Sequence, residues 1–247
     1  GRPTIPGSSL KGVARSITEA ISPSCLMVTQ VSSNYLPDNI PLGQRRDQAC
    51  TPTHTCPACS IYGRIDQLGK ARFGSATLVQ ATQTDLFSLS PLYAPRAEGR
   101  PAAYMDKTGK YKGYKFYQHA RPSDDPRQPP VEVAPEKSQF QGRVDFENLT
   151  LGEVGLLFCG LGMIDPSIAL KVGGGKPRGL GSMKVVRAEL SLLGANHYLQ
   201  AEADVQTKHG AELGEFVGQT VEAALKAQIL AREQLLALAG ILRFTDR

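Results

Sequence analysis

The chain of 247 residues has no tryptophan and only four histidines, His54, His119, His197 and His209. None of these histidines pairs with a nucleophile motif, and neither G-x-S-x-G nor H-E-x-x-H occurs, so the familiar hydrolase and zinc-protease arrangements are excluded. No apolar run approaches the roughly 20 residues that cross a bilayer. The N-terminal residues lack a leader-like apolar stretch. A soluble cytoplasmic protein is the expectation. The chain opens at Gly1, already inside a motif, which suggests a segment of a longer polypeptide. Internal repeats and low-complexity tracts are also missing. Two stretches lack acidic residues altogether: Lys107–Arg121 and Lys171–Arg187 each carry five basic residues and no acid. With 28 basic and 23 acidic residues the net charge is +5. Such runs attract polyanions in a salt-dependent way, or form a solvated face.

Cysteine is scarce and odd in number: Cys25, Cys50, Cys56, Cys59 and Cys159. An odd set with three members within ten residues argues against a secreted disulfide framework and for a metal in a reducing compartment. Cys56-Pro-Ala-Cys59 is a knuckle, in which one turn brings two thiolates to one ion. Cys50 and His54 complete four ligands for a structural Zn²⁺, with Cys25 as an alternative to either. Free cysteines or a redox pair are the competing readings. The surrounding proline-rich loop favours metal, because a redox pair usually opens a helix. Cys159 belongs in the core.

The patterning predicts an α+β chain. Ser8 or Ser9 caps a helix to about Ile21, with Leu10, Val13, Ala14 and Ile17 facing inward. Residues 22–71 read mostly as loop and 72–82 as a strand. Residues 91–137 read as an irregular, proline-rich arm, and Gln139–Glu147 as a strand. Thr150 caps a helix from Leu151 to about Leu161, with Glu153 in its first turn. A strand spans Ser182–Leu192 and a long amphipathic helix about 211–240. The order fits a ferredoxin-like (RRM-like) core without its first strand.

Three further stretches carry chemistry. Gly7-Ser8-Ser9-Leu10-Lys11 opens a helix, offering backbone N–H groups, hydroxyls and a cation to phosphate, with Arg15 on the same face as Lys11. Gly173-Gly174-Gly175-Lys176-Pro177-Arg178-Gly179-Leu180-Gly181 is a phosphate cradle or a mobile loop. It is neither a Walker A motif nor a Rossmann fingerprint. Tyr111–His119 interleaves aromatics with cations, so that bases can stack on Tyr117 while Lys115 meets phosphate, unless the rings pack in the core. Asp38 and Asp47 flank the cysteines and are candidates for metal-dependent phosphodiester chemistry with Mg²⁺.

Five stretches in order resemble the RAMP superfamily of CRISPR-associated proteins, and most of all the backbone subunits of type III effectors, type III-D and fused relatives included. They are Ile5–Gly12, Cys56–Gly63, Gly113–His119, Gly142–Leu149 with Gly152-Glu153, and the glycine loop through Lys184. The resemblance implies an RRM-like core with a zinc-bearing insertion at 22–71 and a β-hairpin thumb at 91–137, in a chain read as one domain over 1–247. The family does not fix the helical extension at 205–247, which is expected to pack on the core or a neighbouring subunit. It implies crRNA contacts at Gly7, Ser8, Ser9, Lys11 and Arg15, and at Gly173, Gly174, Gly175, Lys176 and Arg178. It implies target RNA and other effector subunits as partners, in a prokaryotic cytoplasm. Slicing relatives carry an Asp after a first strand that this chain lacks, so no catalytic residue is inherited. The alternatives are an endoribonuclease subunit using Asp38 or Asp47, and a zinc-stabilised interaction module.

Overall fold

Pro6 sets the start of the first helix. Its ring holds φ at −57°, so α1 (Gly7–Ile21) begins directly after it, preceded by a two-residue strand β1 (Thr4–Ile5). Pro6 occupies the cap position, and no side chain caps α1. Ser8 and Ser9, expected there, are instead exposed in the first turn. The helix buries Ala14, Ile17, Thr18 and Ile21, an i, i+3, i+4, i+7 stripe. The computed structural model describes residues 2–26, 31–37, 50–51, 53–80, 84–92, 101–194 and 204–244.

The segment expected to be loop contains a second helix, α2 (Pro57–Tyr62), and a tight hairpin of β2 (Gly63–Arg64) with β3 (Gln67–Leu68). Helix α2 forms because Cys56 caps it: the thiol accepts from the Cys59 N–H at 3.5 Å, and Pro57 stands at the first helical position. Strands β4 (Ala71–Phe73), β5 (Ala76–Gln80), β6 (Asp85–Ser88), β7 (Pro130–Val133), β8 (Gln139–Gln141) and β9 (Val144–Phe146) follow. They nest as one antiparallel ribbon, β4 with β9, β5 with β8 and β6 with β7. The strand expected over 72–82 is therefore two, bent where the Gly74 N–H meets the Arg143 carbonyl at 2.9 Å. The ribbon's inner half buries Ala71, Ala76 and Leu78. Its outer half leaves Leu86 and Val131 exposed.

Helix α3 (Leu151–Gly160) starts at the expected capping box. Thr150 Oγ1 accepts from the Glu153 N–H at 3.2 Å, and Glu153 Oε2 accepts from the Thr150 N–H at 2.8 Å. Every residue from Gly152 to Gly160 is buried, so α3 is the central rod of the core. Burial of Leu156 and Leu157, both 1% exposed or less, contributes about 1.5–3 kcal/mol each. Cys159 lies in this core, as expected.

The remaining elements are β10 (Leu170–Lys171), β11 (Ser182–Met183), β12 (Glu189–Leu193), β13 (Val205–His209), α4 (Gly210–Lys226) and α5 (Arg232–Leu242). The strand expected over 182–192 is divided between β11, paired with β10, and β12, paired with β13. The long helix expected over 211–240 is broken. Gln228 takes a left-handed φ of 57°, and the Ala231 N–H bonds the Ile21 carbonyl at 2.8 Å, turning the chain onto the end of α1. Helix α4 lies close on α3, where a Cβ on Gly155 would sit 2.3 Å from the Thr220 carbonyl oxygen. Among the described residues, helices alternate with small antiparallel sheets, with the ribbon β4–β9 between α1 and α3, in an α+β fold of the ferredoxin-like kind. No helix among the described residues is long and apolar enough to cross a membrane.

Candidate metal centre and nucleic-acid interface

Four thiols converge where the turn after α1 meets the start of α2. The sulfurs of Cys25, Cys50, Cys56 and Cys59 all lie within 4.8 Å of one another. Cys25 is central, at 3.5 Å from Cys59, 3.7 Å from Cys56 and 3.9 Å from Cys50. Tetrahedral Zn–S bonds of about 2.3 Å place sulfurs about 3.8 Å apart, so both donor chemistry and spacing fit a structural Zn²⁺. His54 is not in the set. Its backbone closes a tight turn with Thr51 (3.0 and 3.2 Å), and its side chain is exposed. The geometry groups Cys25 with Cys50, Cys56 and Cys59, the set of the alternative in which Cys25 stands in for His54. The loop argument against a redox pair also falls, since Cys56-x-x-Cys59 does open a helix. The four-thiol convergence now carries the metal reading.

The thiols share protons unevenly. Hydrogen bonds to Cys56 and Cys59, with burial, push Cys25 far above the usual thiol range. Hydrogen bonds from Cys25 and Cys59 hold Cys56 far below it. Cys59 is pulled down by Cys25 but pushed up more by Cys56 and burial, to about 11. Four thiolates this close repel, and a divalent cation removes that cost.

Arg15 stands against this cluster and not in a groove. Its Nε donates to Glu19 Oε1 at 2.7 Å, Nη1 to the Gly63 carbonyl at 2.5 Å and Nη2 to Cys59 Sγ at 3.4 Å. Its guanidinium bonds inward, because α2 and β2 supply acceptors on that side. Gly7 is similarly committed. A Cβ there would sit 2.1 Å from the Phe73 carbonyl oxygen, so its bareness serves packing on β4. Ser8 and Ser9 remain exposed and Lys11 half-buried.

The glycine loop is an ordered turn. The buried Lys171 ammonium donates to the Gly179 carbonyl at 3.2 Å and to Ser182 Oγ at 3.1 Å. Residues Lys176–Arg178 form one 3₁₀ turn between left-handed Gly175 and Gly179. Gly181 approaches Val172 so closely that a Cβ would lie 2.1 Å from its carbonyl oxygen. Gly173 and Gly174 differ: both are exposed, with nothing within 4 Å of a built Cβ. Arg178 Nη2 donates to the Pro91 carbonyl at 3.0 Å and is exposed, and Lys176 is half-buried. Lys171 was not among the expected site residues, since a buried lysine inside a basic run carries no mark of its own.

In the arm, Lys115 is exposed, 5.3 Å from the Tyr104 ring centroid and 5.1 Å from that of Tyr117, a double cation–π contact. Phe116 packs on the main core. His119 bolts three segments together. Nε2 lies 3.1 Å from both the Ala169 and Leu242 carbonyls, and Nδ1 lies 2.8 Å from Ser182 Oγ. Carbonyls only accept, so Nε2 carries the proton and Nδ1 accepts from the serine. Burial, helped by the Lys171 cation, holds His119 below the usual imidazole range against the two carbonyls. Asp38 and Asp47 lie outside the described residues.

No curated protein matches the chain. A family model for the RAMP superfamily does, over residues 1–184. That match begins ahead of α1, takes in the cysteine site, the nested ribbon and α3, and ends just past the glycine loop. Among the described elements, β12, β13, α4 and α5 fall beyond it. With about three quarters of its length matched, the chain belongs to the RAMP superfamily.

Proposed function

We propose that this chain is a crRNA-binding backbone subunit of a type III CRISPR effector, working with target RNA and neighbouring effector subunits in a prokaryotic cytoplasm. The RAMP superfamily includes CRISPR-associated RNA-binding proteins. The observation that carries the reading is the glycine loop. Gly173 and Gly174 leave backbone open to solvent beside Lys176 and Arg178, on a turn held from beneath by Lys171. A phosphate can approach such a backbone closely while two cations neutralise it. Ser8, Ser9 and Lys11 supply a second set of phosphate donors on α1, and Lys115 with Tyr117 a contact from the arm. Base pairing then reads sequence while the protein reads backbone and shape. Zinc, when bound, supplies a cross-link between the turn after α1 and the start of α2. Cys25, Cys50, Cys56 and Cys59 would hold it.

The test is binding of a labelled single-stranded RNA over a salt series. Lys11→Ala, Lys176→Ala and Arg178→Ala together remove three phosphate contacts. The slope of log affinity against log salt should then flatten by about 2, at about 0.7 per contact on a single strand. An unchanged slope and affinity would sink the cradle. Zinc-loaded protein with no RNA affinity at all would leave a zinc-stabilised interaction module.

A further inference from the structure

The four-cysteine site has a surplus of negative charge that its own ligands cannot balance. A divalent ion held by four thiolates carries a net charge of −2. Backbone amides supply part of the compensation: Cys56 N–H to Cys50 Sγ at 3.2 Å, and the N–H groups of Cys25 and Cys59 to Cys56 Sγ at 3.5 Å each. Arg15 supplies a full charge. Its Nη2 donates to Cys59 Sγ, and Nε and Nη1 are fixed by Glu19 and the Gly63 carbonyl. The guanidinium is held at three corners, with its side chain 17% exposed. A lysine cannot satisfy three divergent acceptors in one plane. Beside the site, the Tyr114 hydroxyl is buried with no hydrogen-bond partner among the described residues. Glu19, Cys25, Cys56 and Arg15 are the charged neighbours that act on it.

We propose that Arg15 is the directed donor and charge partner of the four-cysteine site, so that metal occupancy and the position of helix α1 are coupled through its guanidinium. With the ion bound, the sulfurs carry more charge and the Arg15–Cys59 bond strengthens. Helix α1 is then tied to α2 and β2 through one planar group. With the ion removed, that bond weakens and α1 loses one of its ties to the knuckle. Arg15 is thus a positioning residue for metal and helix, and the inference stands whether or not the chain binds RNA.

The test uses the full chain loaded with Zn²⁺, following release to a coloured chelator. A parallel sample is loaded with Co²⁺, and its sulfur-to-cobalt charge-transfer band is recorded. Arg15→Gln should weaken zinc retention by about 10- to 100-fold, the usual cost of removing a group that orients a ligand, and should shift the cobalt band. Glu19→Gln, which leaves the guanidinium beside Cys59, should stay within a few-fold of wild type. Zinc retention unchanged in Arg15→Gln would overturn the proposal. So would an equal loss in Glu19→Gln, which would mark a general loosening of α1. Should Arg15→Gln not fold, Arg15→Lys decides. Faster release with a shifted band supports the directed bond, and release and band identical to wild type overturn it.

Discussion

Cys25→Ser should cost the protein its metal, and His54→Ala should not. Cys25 is 2% exposed, and its sulfur is the central one, within 3.9 Å of each of the other three. A serine there leaves three thiols and a harder, weaker donor at the fourth corner. For a site that binds only the folded state, free zinc at 100 times the dissociation constant contributes about 2.7 kcal/mol. In a chain of this size 1 kcal/mol moves Tm by about 2–4 °C, so stripping zinc from wild type should lower Tm by roughly 5–11 °C. The assay pairs elemental analysis with thermal unfolding, with and without chelator. Wild type and His54→Ala should hold about one zinc per chain and show that full chelator shift. Cys25→Ser should hold little zinc, and its shift should collapse towards zero. Cys159→Ser is a control: that thiol lies in α3, outside the four-thiol group, so zinc content should not change. Full zinc occupancy in Cys25→Ser, or its loss in His54→Ala, would refute the geometry.

Two further outcomes follow from packing and charge. Gly155→Ala drives a methyl to 2.3 Å from the Thr220 carbonyl oxygen and should destabilise by about 1–3 kcal/mol through forced separation of α3 and α4, read by urea unfolding. Glu153 is held below the usual carboxyl range. Burial opposes this, but the Ser60 hydroxyl, the Thr150 N–H and the Lys70 ammonium outweigh it. A depressed carboxyl contributes stability that is fully present above its unfolded value of about 4.3 and is lost as pH falls through the lower folded value. Glu153→Gln should therefore be less stable near neutral pH yet show a flatter acid limb below about pH 4.3. An acid limb as steep as wild type would show that the ionised Glu153 carboxylate, 3.1 Å from Lys70, contributes nothing.

The legible parts of the fold were those whose causes are local. The Thr150–Glu153 capping box, the Cys56-x-x-Cys59 knuckle and the burial of Cys159 each follow from a few neighbouring residues. The choice between Cys25 and the other candidates for the four-residue set was not legible, because Cys25 and Cys56 are 31 positions apart and spacing that long carries no geometry. Arg15 shares a helix face with Lys11 by the i, i+4 rule, and that rule suggested a common ligand. The acceptors that turn it inward, Gly63 and Cys59, come from another element. The break at Gln228 was hidden for a similar reason. The apolar stripe continues into α5 because Leu235, Leu238 and Leu242 return to the same core as Ala224. The positive φ that separates the two helices leaves no trace in hydrophobic periodicity. In the glycine loop, composition exposed the unusual backbone but could not divide the glycines that pack from those that stay open.

The nested ribbon makes the arm replaceable. Gln80 pairs with Gln139, so the chain leaves the core and re-enters it at one rung of a ladder. Where the excursion is not tied down, lengthening it adds loop-closure entropy, about 0.6 kcal/mol for each doubling. The inner rungs, from Ala71 opposite Phe146 outward, do not register the change. Segment 114–119 of the arm has a second fixture, through Phe116 in the core and His119 against Ala169, Ser182 and Leu242. A lineage of such chains can vary the outer ribbon in reach and composition while that fixture and the inner rungs stay constant. The fold thus separates inner rungs that carry stability from an outer ribbon that can vary in length, at a boundary one rung wide.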